Sequence, residues 1–338
     1  MTSFLPRRRA VLAGALVSAL LAVAGCGGDD TAQQPQGAAG GAYPVTIAHK
    51  YGSTTVDSAP KRVVTVGLTD QDALLALGVV PVGTTEWLGN FPGAIGPWAQ
   101  DKLGTAAKPE VLSNTDGPQY EKIAALRPDL ILGLYSALTQ EQYDTLSKIA
   151  PTIAQPKEYA DYGIPWQDSV RTVGKVLGRS ADADKLVSDV EGQFTKARTD
   201  NPQFVGATAL VATVYQGYFV YGSEDPRSRV LAALGFALPP DLDQVIGNKF
   251  GANISAERAD LLDVKALVWL AGPDTRATLD ADKLYSGLDV AKQKREVLVP
   301  DDSEFGSAMS FVSVLSLPYL LDQLVPQLAK AVDGNPAT

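Results

Sequence analysis

The sequence predicts an α/β protein of two lobes, each a mainly parallel sheet wrapped by helices, the two joined by one long connecting helix. Three observations predict it. Short apolar runs alternate with helical patterning on both sides of the chain's middle, the signature of parallel strands with crossover helices. Between these regions, Ser180 to about Arg198 reads as a long helix, polar on most faces, with no strand between it and the helix before it. The chain has 338 residues, 45% of them apolar, enough for two ordinary domains with buried cores.

Taken in order, Arg7, Arg8 and Arg9 precede an apolar run from Ala10 to Val23 that closes on Val23-Ala24-Gly25-Cys26. Residues 1–25 read as a signal peptide, too short in its apolar run to span a bilayer. Cys26, the only cysteine, follows the small-residue cleavage motif, where its thiol accepts a lipid as in a bacterial lipobox. Cleavage there leaves 26 basic against 38 acidic residues, a net charge of -12. Residues 26–42 read as a flexible lipid-anchored linker, rich in Gly, Ala, Gln and Asp. The protein is expected outside the cytoplasm, held to the cell membrane as a lipoprotein.

From 43 to 179 the pattern gives an N-terminal lobe. Val45–His49 and Ser53–Val56 form a hairpin; Arg62–Val66, Val80–Thr84, Leu130–Leu132 and Thr152–Ala154 are strands. Thr69–Leu77, Tyr120–Leu126, Thr139–Ile149 and Trp166–Leu177 are helices, the first stopped by Gly78. Residues 180–201 are the connector. From 202 to 338 a C-terminal lobe carries strands at Thr208–Tyr215, Tyr218–Tyr221, Ala266–Leu270 and Glu296–Val299, with helices near Arg229–Leu234 and Leu317–Val332. Glu121 to Gly133 and Glu257 to Leu270 form a loose internal repeat, a Glu in a first helical turn leading to a buried strand.

Composition excludes several functions. The acidic balance gives no electrostatic basis for nucleic acid. One Cys and one His rule out a Cys/His zinc cluster, and no nucleophile elbow, phosphate loop or zinc-protease motif occurs. A surface-anchored hydrolase would rest on His49, which reads as a solvent-exposed strand residue, or on a glycosidase-type carboxylate pair, whose separation the fold rather than the sequence sets. No enzyme, cofactor or protein-bound metal is expected.

Aromatic residues mark a binding cleft better. Trp87, Tyr135, Tyr215, Tyr218, Trp269 and Phe305 fall at or just beyond strand ends, where open α/β sheets bind ligands, and Trp166 opens a helix after a Gly-Ile-Pro turn. Arg227 and Arg229 lie in a turn running into a helix and either meet an anionic ligand or pair with Glu224 and Asp225.

The lipobox, the opening Lys61 to Gly83, the segment Tyr120 to Gly133, the turn Tyr221 to Arg229 and Ser255-Ala256-Glu257-Arg258 resemble the periplasmic-binding-protein family for iron-siderophores and vitamin B12. The resemblance covers nearly all of Pro44 to Leu328 and implies a two-lobed receptor with ligand between the lobes. It implies a ferric siderophore as ligand, iron held by the chelator, with haem or cobalamin as alternatives of the same fold. It further implies an ABC permease as partner, docked through Glu121 and Glu257, and a monomeric protein.

Overall fold

The computed structural model describes residues 43–247 and 249–334, all within one compact unit. The signal peptide, Cys26 and the linker lie outside the described residues. Val45–His49 (β1) and Gly52–Val56 (β2) pair antiparallel as a hairpin laid against the first lobe.

The first sheet holds Val63–Thr65 (β3), Gly83–Thr85 (β4), Glu110–Leu112 (β5), Leu130–Leu132 (β6) and Thr152–Ile153 (β7). Its order is β5-β4-β3-β6-β7 and every pairing is parallel. The chain leaves β3 to one side and returns to its other side at β6. These two strands therefore flank the switch point, where the loops beyond their carboxyl ends diverge and open a crevice.

The second sheet holds Ala209–Val214 (β8), Tyr218–Tyr221 (β9), Gly251–Ile254 (β10), Ala266–Ala271 (β11) and Glu296–Pro300 (β12), in the order β10-β9-β8-β11-β12. Here β8, β11 and β12 are parallel, but β9 runs antiparallel to both its neighbours, so this sheet is mixed rather than mainly parallel. The cause is the turn Gln216-Gly217, whose positive φ values of 53° and 117° close a tight hairpin and remove the need for a crossover helix. β6 and β11, the strands of the internal repeat, occupy the same place in their sheets. The segment before β6 is α-helical, however, and that before β11, Ala256–Leu262, is a 3-10 helix.

The helices are Asp70–Ala76 (α1), Tyr120–Ala125 (α2), Gln140–Leu146 (α3), Trp166–Val176 (α4), Ser180–Asp200 (α5), Pro226–Ala233 (α6), Leu242–Ile246 (α7), Thr275–Ala281 (α8), Lys283–Ser286 (α9), Asp289–Lys292 (α10), Glu304–Phe311 (α11) and Ser316–Asp333 (α12). At 21 residues, α5 is about 30 Å long. It buries Ala183, Val187, Val190 and Phe194, one stripe at helical spacing, against α4 and α12. Its remaining faces carry solvent ion pairs such as Lys185–Asp189 and Lys196–Asp200.

One apolar core runs through both lobes, joining Leu130 and Leu132 of the first sheet to Val211 and Val268 of the second by way of α5 and α12. Separate cores fill the outer faces, around Ile123 and Ile131 in the first lobe and around Trp269 and Tyr285 in the second.

Candidate functional site

The site begins at the switch point of the first sheet. Beyond β3 the chain turns at Gly67 into α1, and beyond β6 it passes Gly133 to Tyr135. The Asp70 carboxylate, fully buried, accepts the backbone N–H of Leu134 at 2.7 Å and of Tyr135 at 3.0 Å, fastening one loop to the other. Gly67 makes room for it, since a Cβ there would lie 2.3 Å from a carboxylate oxygen. Burial pushes Asp70 up to about 6, against the pull of its two N–H partners.

Tyr135, thus positioned, starts a continuous aromatic wall. Its ring meets Tyr162 at 5.6 Å and Trp87 at 5.9 Å; Trp87 meets Phe311 at 5.3 Å, and Phe311 meets Trp98 at 5.1 Å. Phe311 ends α11, so the wall joins the two lobes. Burial raises the Tyr135 hydroxyl well above its usual range, and the phenol stays neutral.

The second lobe contributes the turn after β9. Asp225 caps α6, accepting the Arg227 backbone N–H at 2.9 Å, with Pro226 at the first helical position. The buried Arg227 Nη1 donates to both Asp225 oxygens, at 3.0 and 2.8 Å, and its guanidinium lies 4.4 Å from the centroid of the Tyr221 ring. Burial opposes the Arg227 charge, but the Asp225 carboxylate holds it above its ordinary value. Its Nε is buried without a partner among the described residues. Arg229 donates to the Gly163 carbonyl at 2.6 Å, reaching across to the first lobe, and to Glu224 at 2.6 Å.

Two pockets open on this wall and another adjoins the first of them. One, of about 330 Å³ with its mouth included, lies between Thr69, Tyr135, Trp166, Phe311 and Val312. A second, of about 550 Å³, shares Trp166 and Val312 and reaches Arg229. The third, of about 610 Å³, sits over the carboxyl ends of the first sheet, against Thr85, Asn114, Ser136 and Tyr162. Val312 carries φ 44° and ψ 51°, a left-handed conformation unusual for a β-branched residue, at the point where α11 ends and the wall passes to α12. Beside it Ser313 donates a short hydrogen bond to Asp72 of α1, and Trp98 Nε1 donates to the same carboxylate oxygen at 2.8 Å.

Of the sequence-predicted residues, the structure brings together Tyr135, Trp166 and Arg229, which line the pockets, with Trp87, which packs on the aromatic wall, and Arg227, which packs on Tyr221. It does not bring the others to this place. Trp269 is wholly buried in the outer core of the second lobe, donating to the Tyr285 hydroxyl at 3.0 Å, because central β11 is covered on both faces. Tyr218 packs against Trp269 and Tyr285 and turns its hydroxyl to Asp282. Tyr215 stands 62% exposed in the β8–β9 turn. Phe305 packs on the main core from the first turn of α11 and lines none of the three pockets. His49 is buried against Tyr143 and bonded to Thr54 at 3.0 Å, not exposed as its strand pattern suggested; burial lowers its pKa. Sequence reasoning missed Asp70, Asp72, Tyr162, Phe311 and Ser313, and gave Tyr221 a strand end and a turn but no place at the site. The strict alternation of β9 separates Tyr221 and Phe219 from Tyr218 and Val220, and that signal was available.

Residues 63–302 match the family model described as periplasmic binding protein. The chain belongs to that family. It is a family of binding proteins rather than enzymes, and the fold agrees. A periplasmic solute binding protein from Mycobacterium smegmatis is 35% identical, with a TM-score of 0.74 over 86% of this chain and 99% of that one. PiaA of Streptococcus pneumoniae, in complex with ferrichrome, is 27% identical with a TM-score of 0.75 over 86% and 99%. Among curated relatives, the Bacillus subtilis lipoprotein YhfQ is 32% identical over 57% of this chain and 58% of its own length. The chain spans less than two thirds of the length of the first curated relatives it matches.

Proposed function

We propose that this protein captures a ferric siderophore in the crevice between its lobes, outside the cytoplasmic membrane, and delivers it to the permease of an ABC importer. The observation that carries this reading is the aromatic wall from Tyr162 through Tyr135 and Trp87 to Phe311, lined by pockets and bordered by Arg227 and Arg229. Such a surface packs on a bulky chelate and gains most of its affinity from buried apolar area, while a few polar groups fix orientation. Arg229, which lines the second pocket, is one of these. Similarity to PiaA, whose structure holds ferrichrome, supports the ligand class.

Iron enters already chelated and is cargo. Among the described residues no three His, Cys, Asp or Glu side chains gather where a metal ion could sit. Glu121 and Glu257, both exposed, are assigned to docking on the permease, one from each lobe. Residues 1–25 direct export, Cys26 carries the lipid, and 26–42 tether a monomeric receptor to the membrane.

Trp166, half-buried in the lining of two pockets, and Trp87, half-buried against Tyr135 and Phe311 of the wall, report occupancy. Titrating the purified chain with ferric siderophores is expected to quench their fluorescence saturably, with the iron-free forms weaker. Turnover, or saturation by haem or cobalamin alone, would overturn the reading.

A further inference from the structure

Resting on the receptor reading above, the charge distribution of the crevice narrows its ligand. Both arginines at the site are already matched by carboxylates of the same turn: Arg227 by Asp225 at 2.8 Å, Arg229 by Glu224 at 2.6 Å. Among the described residues, the pocket under Phe311 and the pocket over the first sheet have no charged lining residue, and the middle pocket has only Arg229. Behind the wall stand two further carboxylates, Asp70 and Asp72, both fully buried and without a cationic partner among the described residues. Lys249, beside Phe250 at the outer end of an aromatic run through Phe219 to Tyr221, stands in solvent, where a lone charge is screened.

We infer that the crevice selects ferric complexes without net negative charge, tris-hydroxamates over tris-catecholates and citrates, because its two guanidiniums are internally neutralised and two unpaired carboxylates lie behind its aromatic wall. Three singly charged hydroxamates cancel the charge of Fe(III) and leave a neutral, compact chelate. Three doubly charged catecholates leave a trianion, which meets no unmatched cation among the described pocket-lining residues. Inside a protein such a mismatch is felt over several ångströms.

The test is a fluorescence titration of the purified chain with a neutral ferric tris-hydroxamate, a ferric tris-catecholate and ferric citrate, at low and high salt. The hydroxamate is expected to bind roughly 100-fold more tightly than the catecholate and to ignore salt. Catecholate binding should tighten as salt screens the repulsion. Glu224→Gln, at an exposed position, frees Arg229 and should move the affinity ratio roughly tenfold toward the trianion. A catecholate or citrate complex that binds as tightly as the hydroxamate and weakens with salt would overturn the inference and leave the receptor reading standing. Failure of every ferric chelate to saturate the signal would overturn both.

Discussion

Asp72 sets the chemistry of the lobe junction at the scale of one residue. It sits on α1 of the first lobe, yet takes its hydrogen bonds from Trp98 and from Ser313 of the second, both on Oδ2, while Oδ1 is buried with no partner. Burial pushes it up to about 6, against those two donors. A carboxyl raised in the folded state stabilises the fold most when protonated: its contribution is complete below about pH 4 and is lost as pH rises through 6. At neutral pH the ionised form costs about 3 kcal/mol relative to that acid limit. Asp72→Asn keeps an acceptor for Trp98 and Ser313 and removes the charge. Urea unfolding of both proteins from pH 7 to 4.5 should show wild type gaining on the variant as pH falls; a constant difference across that window would show that Asp72 does not titrate there. None of this was legible in the sequence. Asp70-Gln-Asp72 reads as a polar helix start, and only the fold shows that both carboxylates point inward. Tyr218 and Trp269 failed for a related reason: strand ends locate a ligand crevice only once it is known which face is covered.

At the scale of elements, buried apolar runs declared themselves. β6, Leu130-Ile131-Leu132, and β11, Ala266–Ala271, read directly, because central parallel strands are covered on both faces. β10, Gly-Ala-Asn-Ile, has no such run and is a strand because its backbone extends the edge of β9. α11 was also missed, and with it Phe311: its eight residues are capped by Ser303 and end on strained Val312, not on Gly or Pro. The connector α5 was the clearest element, and it carries a testable weakness. Gly192 lies in its interior, exposed, with nothing within 4 Å of where a Cβ would stand. Gly192→Ala should stabilise the protein by about 1 kcal/mol, a rise in Tm of roughly 2 °C, with ligand affinity unchanged because the position faces solvent. Calorimetry and the fluorescence titration check the two halves; a fall in Tm would mean that α5 needs its glycine.

Across the whole molecule, the two lobes share one core and are stitched by Arg229 to Gly163 and by Ser313 to Asp72, while the docking proposed above assigns cargo binding to the crevice and cargo delivery to the outer surface. The docking proposal makes that separation measurable. Glu121 opens α2 and Glu257 opens the 3-10 segment before β11; both are exposed, and neither forms an ion pair among the described residues. A carboxylate at a helix start is favoured by the helix dipole, so capping alone predicts a loss of a few tenths of a kcal/mol in stability for each removal and nothing else. Docking predicts more. An exposed ion pair contributes about 1 kcal/mol, so one substitution should weaken permease engagement severalfold and two should weaken it by roughly 30-fold. Iron uptake by cells carrying Glu121→Ala and Glu257→Ala together is therefore expected to collapse, with each single variant intermediate and the affinity of the purified double variant for its ferric chelate unchanged. Uptake that survives the double substitution would return both residues to helix capping. Lost chelate affinity would instead tie these distant surfaces to the crevice, which the shared core makes physically possible but the docking proposal does not contain.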